Sequence, residues 1–170
     1  RFERPFGGGE HSPCDMWLSF SKDLEFWGRH RPSLRTRPCH WDHHKLGAGA
    51  PPIRIKEGWL EIYHGVNPNC DGSAYMLFAV ILDYKEPWKE VARTKFPILF
   101  PEAPYEVTGR VSNVVFTCNA LLEEDDMIKV YYGAADTCIG LAEISLDELV
   151  KACHEPYRYS LTLKRKGAGL

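Results

Sequence analysis

The chain lacks an apolar run long enough to cross a bilayer as a helix. Its longest, Ala74 to Leu82, has nine residues, against the roughly 20 that a spanning helix needs, so no membrane partner is expected. It also lacks an excess of charge of either sign. With 21 Lys and Arg against 23 Asp and Glu the formal net charge is −2, and the isoelectric point is about 6.4. That balance leaves no electrostatic footprint for nucleic acid. C-x-x-C pairs are absent as well. The six cysteines, at positions 14, 39, 70, 118, 138 and 153, have no regular spacing. This argues against a disulfide framework and predicts free, mostly buried thiols in a reducing compartment, hence a cytoplasmic location. No zinc-ligand spacing is found either. His40, Asp42, His43 and His44 in HWDHHKLGAG are ligand types, but His at i and i+4 serves a metal from a helix, and the LGAGAPP that follows is not helical. A solvated polar loop is expected there, with no metal and no cofactor. The chain opens RFERPF without a methionine or a leader.

What the sequence does contain is a repeat. Trp59-Leu60-Glu61-Ile62-Tyr63-His64-Gly65 lies over Met127-Ile128-Lys129-Val130-Tyr131-Tyr132-Gly133 at an offset of 68 residues. Each copy is followed by a loop and an apolar segment ending in Leu-Asp, at Asp83 and at Asp147. Each is preceded by another apolar segment, APPIRI and VSNVVFTCNALL. One unit is therefore three or four short strands, and MWLSFSKDLEFW, Met16 to Trp27, reads as the end of a still earlier unit. All-strand units of four are propeller blades, and the 68-residue period, longer than common propeller repeats, implies long loops. Tyr63 and Tyr131 are expected at equivalent positions of successive blades. The expected fold class is all-β, an incomplete ring of two to three blades. A full propeller has about four to eight, so the chain reads as the C-terminal part of a larger ring.

Alternation and β-branched content support strands at Trp17–Ser21, Leu60–Tyr63 and Val111–Phe116. Prolines mark the connections, and KFPILFPEAPYE reads as a crossover between units. One short helix is expected, with Ser145 capping Leu146 to Cys153 and Glu148 placed for a capping box. The resulting division is 1–50, the end of one blade and the loop to the next; 51–94, a central blade; 95–150, a last blade; and 151–170, a C-terminal tail whose LKRKGAGL reads as a frayed terminus.

Several residues could carry chemistry. YYGAADTCIGLA, Tyr131 to Ala142, sets one acid, Asp136, among small residues that let a ligand approach the backbone; a plain hairpin turn with a capping Asp fits the same letters. Lys45 precedes Gly47-Ala48-Gly49-Ala50-Pro51-Pro52, which could bring N–H groups and an ammonium to an anion, or is a surface lysine before a turn. His64 ends a strand before Gly65, as a packed histidine also would. Arg4 has the same ambiguity. Gathered around one axial pocket, Arg4, Lys45 and His64 would make a phosphate site.

These segments in order resemble a known family. RPFGGGEHSPCDMWLSFSKDLEFW, KLGAGAPPI, GWLEIYHGV, AYMLFAVILD, PYEVTGRVSNVVF and VYYGAADTCIGLA resemble the C-terminal half of glycoside hydrolase family 130, the β-mannoside phosphorylases and related mannosidases. The resemblance implies a five-bladed propeller that cleaves β-mannosides with inorganic phosphate as co-substrate, giving mannose 1-phosphate. It implies that Lys45 and His64 bind phosphate together with Arg4, that Asp136 contacts the mannosyl unit, and that Glu106, Tyr75 and Asp15 lie near the sugar or shape its pocket. The family's catalytic acid belongs to its N-terminal half, so no catalytic residue is assigned in this chain. Glu3 stands where the family usually has His, which sets an acid beside a corner meant for an anion. Inverting hydrolysis by water uses a second carboxylate as general base. Phosphate is already a nucleophile, and cations suit it where a carboxylate would repel it. A hydrolase on the same fold and a non-catalytic carbohydrate-binding fragment remain as alternatives. So does a homo-oligomer whose neighbouring subunit completes the acceptor site.

Overall fold

A computed structural model describes residues 1–5, 14–69, 72–155 and 162–169. Residues 6–13 of the RPFGGGEHSPCDM motif and Cys70 lie outside the described residues. The strands form three antiparallel sheets in chain order, as the repeat predicts. The first contains β1 (Phe2–Glu3), β2 (Met16–Phe20) and β3 (Gly28–Leu34). The second contains β4 (Lys45–Gly47), β5 (Ile53–Ile55), β6 (Gly58–Asn69), β7 (Gly72–Leu82) and β8 (Glu90–Arg93). A helical turn, α1 (Pro104–Val107), leads into the third sheet, made of β9 (Val115–Leu122), β10 (Met127–Ala134), β11 (Cys138–Ser145) and, after helix α2 (Leu146–His154), β12 (Lys164–Gly169).

The alternation of side chains explains how the sheets stack. On β6, Leu60 and Ile62 join Ile128, Val130 and Tyr132 of β10 in one buried cluster between the second and third sheets. Tyr63, one residue out of phase, joins Met16 and Leu34 in a second cluster between the first and second sheets. Strands buried on both faces read as near-continuous apolar runs, which is why AYMLFAVIL looked undifferentiated.

Two expectations about boundaries, one about a helix cap and one about register are corrected. Lys45–Gly47 falls in the segment expected to be loop, yet it pairs with Gly65 and its neighbours on the inner edge of β6. The basic tail does not fray: Lys164–Gly169 pairs with β11 as the outer strand of the third sheet. The helix lies where expected, but the Ser145 side chain makes no cap bond; the Leu146 N–H is taken by the Asp126 carbonyl instead. Finally, the residue equivalent to Tyr63 is Tyr132, not Tyr131. Both are fully buried and both face the preceding sheet.

Each of these tyrosines anchors the same polar arrangement. Tyr63 donates to Asp42 Oδ2 at 2.8 Å and accepts from Arg93 Nε at 2.7 Å. Asp42 also receives Arg93 Nη2 at 2.6 Å and both Nε and Nη2 of Arg37. Tyr132 donates to Glu106 Oε1 at 2.7 Å, and Glu106 receives Arg165 Nε at 2.8 Å and Nη2 at 3.0 Å. In each case the acid precedes the blade and the arginine comes from its outermost strand, so blade and connection are locked together. Asp42, expected in a solvated loop, is therefore wholly buried, its burial compensated by two guanidinium groups and a phenol.

The cysteines divide differently from the expectation. All five that are described are free, but only Cys153 is buried, while Cys39 and Cys118 are exposed. Their sulfurs follow strand alternation and loop position rather than hydrophobicity. Burial pushes the Cys153 thiol up to about 12.

Removing one partner of a buried ion pair leaves an uncompensated charge, at a cost of about 3–5 kcal/mol. Arg93→Met is expected to lower unfolding stability by about that amount, measured by urea titration. Arg165→Met, at the more exposed of the two sites, should cost less. Equal stability of Arg93→Met and wild type would show that the buried arrangement does not hold the blade.

Candidate functional site

Three of the expected anion ligands come together with one expected sugar ligand. β4 pairs with β6 so that Gly47 is opposite His64 and Lys45 is opposite Val66. Arg4, just past β1, reaches across from the first sheet. Its Nη1 donates to the Leu46 carbonyl at 3.1 Å and lies 3.5 Å from His64 Nε2. The Lys45 ammonium sits 4.8 Å from the centre of the Tyr75 ring, a cation–π arrangement that holds it on this side of the sheet. The Tyr75 ring stacks near His64, and Phe116 of β9 lies 4.3 Å from the imidazole on its other flank. Gly47 makes the close approach possible: a Cβ there would lie 2.3 Å from His64 Cε1 and 2.9 Å from Arg4 Nη1.

This corner determines the state of His64. The ring is 3 % exposed. Burial first, then the charges of Arg4 and Lys45, push it down to about 3. It is therefore a neutral imidazole at ordinary pH, flanked by two permanent cations, and its Nδ1 is buried without a hydrogen-bond partner. The corner offers cationic and N–H groups, and among the described residues no carboxylate makes an ion pair with Lys45. Glu3, expected to intrude, is turned away: its carboxylate binds Ser19 Oγ and Arg1 Nε, both at 2.7 Å, and His30 at 3.1 Å. Those bonds, Ser19 first, hold it down at about 2.

The other expected ligands divide. Asp136 occupies the turn between β10 and β11, exposed, with Ala135 and Asp136 both at positive φ (47° and 52°). The plain hairpin reading is thus correct for its backbone, yet the turn sits at the same end as the corner. Ala135 N–H bonds the Val114 carbonyl, and Asn113, next to Val114, accepts the Tyr75 N–H. Asp15 is committed to Thr36, receiving its N–H at 2.8 Å and its hydroxyl at 3.2 Å. Glu106, expected near the sugar or shaping its pocket, is an interior strut. It is fully buried, and both oxygens are taken by Tyr132, Arg165 and the N–H groups of Glu102 and Ala103. Burial alone would raise its pKa, but these bonds, Arg165 foremost, hold it below the usual carboxylate range. Among the described residues no group of three or more His, Cys, Asp or Glu is placed to hold a metal ion; His40 and His43 bond backbone carbonyls.

The sequence reading missed Phe116, which packs on the ligand-side imidazole, and the arginines 37, 93 and 165. Phe116 stands in a segment read only as a strand. The arginines belong to no motif, and Arg93 and Arg165 meet their acids across 51 and 59 residues.

Comparison with known proteins agrees with the geometry. A family profile described as β-1,4-mannooligosaccharide phosphorylase matches residues 6–155. A β-1,4-mannooligosaccharide phosphorylase of Ruminococcus albus is 43 % identical over 151 residues, covering 88 % of this chain and 44 % of the relative. A 1,2-β-oligomannan phosphorylase of Thermoanaerobacter sp. (strain X514) is 44 % identical over 135 residues, 79 % of this chain and 44 % of the relative. The solved structure of β-1,2-mannobiose phosphorylase from Listeria innocua, in complex with β-1,2-mannobiose, superposes with a TM-score of 0.82 at 36 % identity, covering 91 % of this chain and 42 % of that one. The chain thus spans less than half the length of these relatives. With three successive antiparallel blades and a profile match over most of its length, the chain belongs to glycoside hydrolase family 130.

Proposed function

We propose that this chain supplies the inorganic-phosphate corner, and part of the mannosyl pocket, of a phosphorylase that cleaves β-mannosides to mannose 1-phosphate. The observation that carries the reading is the convergence of Arg4, Lys45 and the neutral His64 on one corner. The phosphorylase names of the relatives support it. Phosphate has to be held as an anion beneath the anomeric carbon while an acid protonates the departing oxygen. Arg4 offers planar N–H donors suited to phosphate oxygens. Lys45 offers a point charge steadied by Tyr75. His64 adds an N–H without a further charge, and an anion that draws off Arg4 Nη1 leaves His64 Nε2 able to carry its proton toward the anion. The acid is expected from the family's N-terminal half. Asp136, at the turn facing the same end, is the carboxylate assigned to the mannosyl hydroxyls. Free cysteines at every described position fit a cytoplasmic setting.

In the full-length protein, Lys45→Ala and His64→Ala each remove a contact to phosphate worth about 1.5–3 kcal/mol. Phosphate use should fall by about one to two orders of magnitude, with less effect on mannoside. Asp136→Ala should damage mannoside use first. Initial rates with phosphate and mannoside varied separately decide this. Equal loss on both axes for all three variants, or release of free mannose without phosphate, overturns the assignment.

His64 gives a second expectation. Its folded pKa, about 3, lies below the ordinary value of 6.5. As pH falls below 6.5 the unfolded chain gains a proton that the fold refuses, so stability is lost progressively toward pH 3. NMR of the phosphate-free protein should show no His64 titration between pH 5 and 8; a midpoint near 6.5 would contradict the buried neutral imidazole.

A further inference from the structure

The inner strand of the second blade is broken. β4 ends at Gly47 and β5 begins at Ile53, and both pair with β6. Between them Pro51 and Pro52 have no N–H to give to a ladder. The Gly49 N–H would be stranded, and it is taken by a side chain: it donates to Glu61 Oε1 at 3.2 Å. Glu61 lies on β6 opposite the break and is fully buried. Its Oε2 is also buried and has no hydrogen-bond partner, and the same holds for Thr117 Oγ1 on β9. Gly49 is clamped between these elements, since a Cβ there would lie 2.5 Å from Thr117 Cβ and 2.8 Å from the Ile62 carbonyl. The clamped segment continues directly into Gly47, on which the His64 ring and Arg4 pack.

We propose that Glu61 is a positioning residue for the anion corner, fixing the Gly47–Gly49 backbone through Gly49, and that it works as an uncharged carboxylic acid. The inference rests on the phosphate reading of that corner. An ionised carboxylate at this position would be a buried charge with a single neutral donor, an arrangement that proteins avoid by holding the proton. The charged and titratable groups on the surrounding elements include Arg4, Asp42, Lys45, Tyr63, His64, Tyr75 and Arg93, together with Arg54, which lies over the Tyr84 ring. Asp42, Tyr63 and Arg93 are bonded to one another, while Arg4 and Lys45 converge on His64. Glu61 forms no ion pair with any of them. Burial pushes its pKa up to about 8, against a smaller opposing effect of the Gly49 bond. At neutral pH the corner then holds an acid that adds no negative charge beside a bound anion. At alkaline pH the same group ionises and sets a buried negative charge next to the Gly47–Gly49 segment, which disfavours phosphate at the corner.

The test uses the full-length protein, with wild type, Glu61→Gln and Glu61→Ala. Calorimetric binding of inorganic phosphate from pH 6 to 9.5 is paired with thermal unfolding over pH 4.5 to 9. Glutamine keeps the acceptor for Gly49 and cannot ionise, so Glu61→Gln should bind phosphate like wild type at pH 7. At pH 9 it should bind about tenfold more tightly than wild type, the effect of one nearby like charge. Glu61→Ala should bind weakly at every pH. Because the folded pKa is raised, wild type should lose stability relative to Glu61→Gln as pH rises from 4.5 to 8, then level off. Phosphate affinities of wild type and Glu61→Gln that stay parallel through pH 9 overturn the inference while leaving the phosphate site standing. A flat stability difference also overturns it, by showing that Glu61 is ionised in the fold. No phosphate binding by wild type at any pH overturns the anion corner and this inference with it.

Discussion

The structure depends on a buried acid shared between a tyrosine and an arginine, made once in the second blade and again in the third. A propeller blade is a short twisted sheet with little to fix its position against its neighbour except side-chain packing. Asp42 and Glu106 come from the connections that precede the blades, Tyr63 and Tyr132 from the second strand, and Arg93 and Arg165 from the outermost strand. Each arrangement ties the entry, middle and exit of one blade through bonds that lose their worth if any partner shifts. The specificity follows from burial. Apolar packing tolerates small slips, whereas a wholly buried carboxylate does not tolerate loss of its guanidinium.

That constraint has a consequence for chemistry. With Tyr63 and Asp42 holding one face of β6 against the first sheet, His64 must face the other way, toward β9 and Phe116. Arg4 then crosses from the first sheet to meet it. The cationic corner is thus assembled from two blades, and its geometry follows from the inter-blade register. Neutral His64 is the outcome of this crowding: burial, then the charges of Arg4 and Lys45, oppose a third charge there.

The broken inner strand is the other half of the arrangement. A continuous β4–β5 strand would carry its own ladder bonds past Gly49. Interrupting it frees backbone beside the cationic corner and leaves a donor for Glu61 to hold. A buried acid that would be a liability in a continuous sheet becomes useful next to a gap.

Much of this was legible in the residues themselves. Strand alternation, proline punctuation and the 68-residue self-similarity fix an antiparallel, repeated, all-β chain, because period-two burial is written directly in side-chain order. The letters also singled out Arg4, Lys45 and His64, which the structure brings to one corner. Other features depended on contacts across dozens of residues. The face of β10 that meets the preceding sheet carries Tyr132 rather than Tyr131, which no offset count detects. HWDHH looked like solvated ligands because nothing in the letters shows that Arg93 lies against Asp42. Nor do the letters show that Arg165 and Tyr132 occupy the carboxylate of Glu106. The tail KRKGAG looked frayed because its pairing partner, β11, lies on the far side of a helix in sequence. Local propensity and pattern determined the elements; tertiary structure alone decided which acids are interior struts and which corner is left cationic, because burial and charge compensation are properties of neighbours in space rather than in sequence.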